Sequence, residues 1–243
     1  MTSPYFRAII LVLASDDQPI YRFFKKVYES YMDVNPNVKV FFVYGKGTTF
    51  ERKEYDLVYD DVRESVIPPW PTTKVIKAME YIDANYNYDF LIRTNLSTFW
   101  DFDGLLKRLD TLPDKLCLTG RMGYIAPPFV VGTGMIVNRY MITEIVKNAA
   151  MVNVTYGKYV AEDRILSEFF SNVMKAPILP STHIHNIETL ETDDIDTILK
   201  EIQKGKQAGK DHFRIKNMKD RMLIDTAVAK ALCKEYYGKS VDE

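Results

Sequence analysis

Residues 88–109 read YDFLIRTNLSTFWDFDGLLKRL. The apolar run Phe90-Leu91-Ile92 has the composition of a strand covered on both faces. It leads into Arg93-Thr94-Asn95-Leu96-Ser97, and an amphipathic helix follows from about Asp103. Such a strand delivers polar side chains to the carboxyl edge of a sheet. In open α/β sheets, ligands bind beyond that edge.

The chain upstream supports this reading. Arg7 to Ala14 (RAIILVLA) is a continuous apolar run, as expected of a central parallel strand. Ser15-Asp16-Asp17 offers helix-cap chemistry, and Pro19 sits in the first turn of a helix carrying Phe23, Phe24, Val27, Tyr28 and Tyr31. Val38 to Tyr44 predicts a second strand, stopped by Gly45 and Gly47. Tyr55 to Tyr59 predicts a third, ending in Asp60-Asp61. Pro68, Pro69 and Pro71 break the chain, and Thr72 then caps a helix through Val75, Ile76, Met79 and Ile82. Strands alternating with helices predict a single-domain, mainly parallel, doubly wound α/β sheet flanked by helices. Ser15, Asp16, Gly45, Asp60 and the Asn95 segment then converge on one cleft.

Further strands are expected at Leu116 to Thr119 and Gly134 to Val137, with a helix from about Tyr140. Glu162-Asp163 opens another helix, and Asp193-Asp194 starts one that ends near Gly205. Lys204 to Lys210 reads as a basic loop able to close as a lid, and the last helix spans about Asn217 to Gly238.

Composition narrows the function. The 243 residues are 47% hydrophobic, which suffices for one large core. The formal net charge of -1 gives no reason to expect a nucleic-acid or membrane partner. Cys117 and Cys233 have neither metal spacing nor a disulfide framework, so a reducing, cytoplasmic setting is expected. No leader pattern precedes the first strand, whose apolar run is too short to cross a bilayer. The sequons at Asn95 and Asn153 carry no weight without one. The sequence contains no GxxxxGK[ST] loop, no GxGxxG turn and no Gly-x-Ser-x-Gly elbow.

Four stretches, in order, resemble GT-A-fold glycosyltransferases of the inverting beta-1,3-galactosyltransferase and fringe type, with their small bacterial and viral relatives. DLVYDDVRESVIPPWPTTKVIKAMEYI resembles the family's strand, acidic turn and lysine-bearing helix, with Lys74 in that helix. FLIRTNLSTFWDFDGLLKRL resembles its strand, Asp-rich triplet and helix. PPFVVGTGMIVNRYMITEIV resembles its Gly-rich strand, and AEDRILSEFF its Glu-Asp helix start. The resemblance runs from about Ala8 to Phe170 and is weaker beyond. It implies a Rossmann-like GT-A domain, with a nucleotide-sugar half over residues 1–115 and an acceptor half over 116–243.

The resemblance also implies roles. It places the catalytic base of an inverting transfer at the Glu162-Asp163 pair, with Asp163 the candidate and Glu162 beside it. Acids at a helix start also serve as caps, and that alternative stays open. The family's acidic triplet aligns with Asn95, Leu96 and Ser97. Neutral oxygens there hold a manganese or magnesium ion more weakly than carboxylates do. His212 is a further candidate ligand, matching a late histidine of some GT-A enzymes. His212, Arg214 and Lys216 alternate along an extended segment and so share a face suited to a diphosphate. Arg93 is a further candidate donor-site residue, with an ion pair under the sheet as its other reading.

The expected activity is transfer of a sugar from a nucleotide sugar, a UDP-sugar first, to a glycan or polysaccharide acceptor. Two alternatives stand beside it. One is a sugar-nucleotide or glycan-binding module that has lost its aspartates. The other is a nucleotidyltransferase, which needs a glycine-rich phosphate loop after the first strand, where Ser15-Asp16-Asp17 fits poorly.

Overall fold

The computed structural model describes residues 3–67, 69–123, 127–156 and 161–241, so Pro68 lies outside the described residues. The central strand β1 (Tyr5–Leu13) pairs in parallel with β2 (Val38–Lys46) on one side and β4 (Asn87–Asn95) on the other. β3 (Asp56–Arg63) continues the parallel side beyond β2. β7 (Met135–Asn138) runs antiparallel to β4 and to β6 (Leu118–Gly120), and β8 (Ile178–Pro180) closes the far edge. The order is β3-β2-β1-β4-β7-β6-β8, a mixed and mainly parallel sheet.

Alternation along β1 builds two cores. Ala8, Ile10 and Val12 face α1 (Pro19–Tyr31), α3 (Phe102–Leu109) and α8 (Thr226–Tyr237). Ile9 and Leu11 face α2 (Trp70–Asn85), α4 (Arg139–Lys147), α5 (Ala149–Tyr156) and α6 (Glu162–Glu168). Ile9, Ile10, Leu11 and Val12, all fully buried, each contribute roughly 1.5–3 kcal/mol relative to exposure. The apolar stripe of α1 buries Phe23, Phe24, Val27, Tyr28 and Tyr31. Tyr31 stacks on Tyr237 at 4.8 Å, tying α1 to the C-terminal helix. Gly238 ends α8 with φ +63°, a left-handed cap that glycine takes without strain.

Several local expectations are corrected. The N-cap of α1 is Gln18, with no side-chain bond, because its acidic neighbours are engaged elsewhere. Ser15 donates to Asp17 at 2.6 Å, and Asp16 accepts from the Thr49 backbone at 2.9 Å. Gly45 does not stop β2. It lies inside the strand, where glycine is needed because an added Cβ would stand 2.8 Å from the Val62 carbonyl oxygen. β3 runs on to Arg63, past Asp60-Asp61. Thr72 is buried within α2, whose N-cap is Pro69. The expected lid is mostly helix: α7 (Ile195–Gln207) runs through it, with Gly205 packed against Phe213. Asn217 lies ahead of a π-helical turn at Arg221–Asp225, and α8 starts only after that.

A second sheet joins the segment after β4 to the C-terminal third of the chain. β5 (Thr98–Trp100) pairs antiparallel with β10 (His212–Arg214), which pairs in parallel with β9 (Ile184–Asn186). Beyond β10 the pairing continues: the Ile215 amide donates to the Ser97 carbonyl at 2.9 Å. This carries residues 214–221 against the carboxyl end of β4. Among the described residues, no helix is long and apolar enough to cross a membrane.

Candidate active site

A cleft of about 680 Å³ opens where β1 and β4 end. That size suits a small-molecule ligand. Its lining comes from the β1 end (Leu13, Ala14, Ser15), the turn into α1, the segment after β3 (Glu64 to Val66), α2, the β4 end, the start of α6, and Arg214, Lys216 and Arg221.

Arg93 organises the floor. It is buried, and its guanidinium meets Glu162 side-on: Nε donates to Oε1 at 3.1 Å and Nη2 donates to Oε2. Nη1 donates to Asn95 Oδ1 at 2.9 Å and to the Gly132 carbonyl. Burial pushes the Glu162 carboxyl above its ordinary pKa, and the Arg93 charge pulls it back. One side chain thus links β4, the Gly132 turn and the start of α6.

Asp163 is held differently. Its Oδ2 accepts from the Gly132 amide at 2.7 Å and its Oδ1 from the Arg164 amide at 2.9 Å. Two backbone donors fix the carboxylate, and its remaining lone pairs can accept from a ligand. Of the acidic pair, Glu162 gives both oxygens to Arg93, whereas Asp163 has capacity left for a proton.

Lys74 donates to Glu64 Oε1 at 2.6 Å and to the Ala14 carbonyl at 3.3 Å. Burial pulls its pKa below the ordinary lysine value, and Glu64 opposes that. Glu64 also accepts from the Gly45 amide at 2.6 Å. Gly45 therefore acts on the cleft through Glu64 rather than by lining it. Arg214 donates from Nη1 to Ser97 Oγ at 2.6 Å. Burial pulls its pKa down to about 10, so it stays charged at neutral pH. Arg221 pairs with Asp225 at 3.0 Å and lies 5.3 Å over the Tyr21 ring.

Among the residues singled out from sequence, Ser15, Lys74, Arg93, Asn95, Ser97, Glu162, Asp163, Arg214 and Lys216 line the cleft. Asp16, Gly45, Asp60 and His212 do not. Asp16 is turned to Thr49. Asp60 is exposed and pairs with Arg52 at 2.8 Å. His212 is fully buried, stacked on Trp100 at 4.3 Å, with Nδ1 2.6 Å from Asp211 Oδ1. It shares a face with Arg214 but lies two residues deeper, about 6.6 Å along the strand. The alternation identified the face correctly but gave no information about depth. His183 contacts the Gly209 carbonyl at 3.2 Å, and His185 packs on Phe213.

Sequence reasoning missed Glu64, Tyr21 and Arg221, which also line the cleft. Glu64 had a positional signal only: it follows directly on the end of β3, at the sheet edge where ligands bind. Arg221 had none, since a lone arginine ahead of a helix is ordinary.

The donor set does not fit a divalent ion held at the end of β4. Asn95 Oδ1 and Ser97 Oγ are both neutral, and each already accepts from a guanidinium. Among the described residues, no three His, Cys, Asp or Glu side chains gather as a metal site.

No protein-family model matches the sequence, and no curated protein matches it. Among solved structures, the chain is similar to a glycosyltransferase involved in the glycosylation of the major capsid of PBCV-1. The TM-score is 0.52 at 9% identity, over 91% of this chain and 98% of that one. The chain has a glycosyltransferase fold. The likeness extends well past Phe170, where the sequence resemblance weakens. At this identity it speaks for the fold, and the narrower fringe-type resemblance remains one of sequence motifs.

Proposed function

We propose that the protein is a glycosyltransferase that moves a sugar from a nucleotide sugar, a UDP-sugar first, to a hydroxyl of a glycan acceptor with inversion. The observation that carries this reading is Asp163: a carboxylate fixed by two backbone amides, with lone pairs free, at the rim of a cleft that also holds Arg214 and Lys216. The glycosyltransferase fold supports the reading, and so does the position of the cleft beyond the strand ends.

The chemistry follows from that arrangement. The acceptor oxygen attacks the anomeric carbon while its proton passes to the Asp163 carboxylate. The bond between the anomeric carbon and the diphosphate oxygen breaks, and its electron pair leaves with the diphosphate. The cationic side chains receive that charge. No general acid is needed, because a nucleoside diphosphate is a good leaving group.

A second reading, a module that binds a nucleotide sugar without transferring it, is favoured by the neutral residues at Asn95 and Ser97. One experiment addresses both. A panel of nucleotide sugars is tested for thermal stabilisation, which any ligand of the folded state produces by mass action, and for sugar release by mass spectrometry. Stabilisation with release supports the transferase, and stabilisation without it supports the module. No stabilisation by any donor at millimolar concentration overturns both.

A further inference from the structure

The family resemblance calls for acidic metal ligands at Asn95 and Ser97. The structure instead sets a guanidinium against each. Arg93 Nη1 donates to Asn95 Oδ1 at 2.9 Å, and Arg214 Nη1 donates to Ser97 Oγ at 2.6 Å. Both arginines are buried, at 5% and 9% exposure. A dication bound to either oxygen would sit beside a fixed positive charge and would compete with that hydrogen bond for the oxygen.

The two guanidiniums differ in what neutralises them. Arg93 is satisfied by Glu162, and Lys74 by Glu64. Arg214 is neutralised more loosely: its ion pair with Glu188 spans 3.9 Å from Nε, beyond hydrogen-bond reach. Lys216 is exposed and has no ion pair among the described residues. Arg221 pairs with Asp225 through Nε, but its buried Nη2 has no hydrogen-bond partner. Three cations from one short segment therefore face the cleft with donor capacity to spare. Guanidinium forks match phosphate oxygens in geometry as well as charge. The backbone explains why they are there: the Ile215 amide pairs with the Ser97 carbonyl and seats the segment on the end of β4.

We propose that Arg214, Lys216 and Arg221 grip the donor diphosphate directly, with Arg214, braced by Ser97, standing where the family's divalent cation would stand. Donor binding then needs no metal. This rests on the nucleotide-sugar reading above.

The test is titration calorimetry of UDP, GDP, CDP, ADP and dTDP into the full chain, in EDTA and again in manganese. The diphosphate that binds is expected to do so in EDTA with a Kd within threefold of the manganese value. Arg214→Ala and Lys216→Ala are each expected to raise that Kd at least tenfold. Arg214 is buried, so its variant carries a risk of misfolding. Lys216 is exposed, and its variant tests the same grip on folded protein, checked by circular dichroism. Binding that weakens more than tenfold in EDTA overturns the metal-free grip and leaves the nucleotide-sugar reading standing. Binding in EDTA that Lys216→Ala does not weaken overturns the proposed contacts. If no diphosphate binds in either condition, the nucleotide-sugar reading fails and this inference fails with it.

Discussion

Arg93 and Glu162 form a buried ion pair through two parallel hydrogen bonds, 69 residues apart in sequence. The pair joins the end of β4 to the start of α6, so it sets where Asp163 stands. Removing one partner leaves the other as an uncompensated buried charge. Glu162→Gln is expected to cost about 3 kcal/mol of stability, at the low end for a broken buried pair because the amide still accepts one bond. Urea denaturation measures it. In a double-mutant cycle, Arg93→Met with Glu162→Met should cost clearly less than the two single changes summed. Additive losses would show that the two side chains act independently.

Stability should fall on mild acidification through His212. Burial holds its pKa below the ordinary histidine value of 6.5, with the Asp211 contact opposing. The unfolded chain therefore takes up a proton near pH 6.5 that the folded chain resists. Between the folded and unfolded pKa values, the unfolded state binds more protons, so stability is full above about 6.5 and is lost as pH drops. His185, also lowered by burial, adds in the same direction. Denaturation midpoints between pH 7.5 and 5 should decline, and His212→Gln should flatten the decline. A His212→Gln profile parallel to the parent would assign the loss to other groups.

What could be read from the sequence divides along physical lines. β1, β2 and α1 are legible because a burial period is local: Phe23, Phe24, Val27, Tyr28 and Tyr31 repeat with the helix itself. The caps are not legible, because Asp16 is drawn away by Thr49, 33 residues on. Gly45 carries the right signal with the wrong meaning. A glycine marks a turn or a close approach, and only the tertiary fold, which brings Val62 against it, says which. The cleft shows the same split. Strand ends are visible in one dimension, so Asn95 and Ser97 could be placed at the edge. The Arg214 guanidinium that caps Ser97, and the depth of His212, depend on a second sheet that pairs segments more than 100 residues apart.

Gly132→Ala tests the link between the turn and Arg93. A Cβ at residue 132 would collide with the Arg93 guanidinium, which Glu162 and Asn95 pin in place. Because the arginine is held on three sides, the strain cannot relax cheaply, and a loss of about 1–3 kcal/mol is expected. The Gly132 amide also donates to Asp163, so nucleotide-sugar turnover should fall more than stability alone explains. A variant with parental stability and turnover would show that the turn moves freely and that Arg93 does not position it.

Asp163→Asn separates the roles of the acidic pair. The amide oxygen can still accept from the Gly132 amide, but its NH2 cannot accept from the Arg164 amide, so one of the two bonds is lost and the melting temperature should fall only modestly. What is lost is the proton acceptor. General-base catalysis typically contributes 10²–10⁴-fold, so transfer should drop by about that factor while diphosphate affinity stays near the parental value. Glu162→Gln should behave differently: stability and affinity fall together, because its carboxylate is committed to Arg93. Single-turnover transfer and calorimetric binding on both variants distinguish the patterns. Undiminished transfer in Asp163→Asn would move the base away from α6. A collapse of folding in that variant would show that the carboxylate serves α6 as a cap, and its place beside the free cationic wall would then have no catalytic meaning.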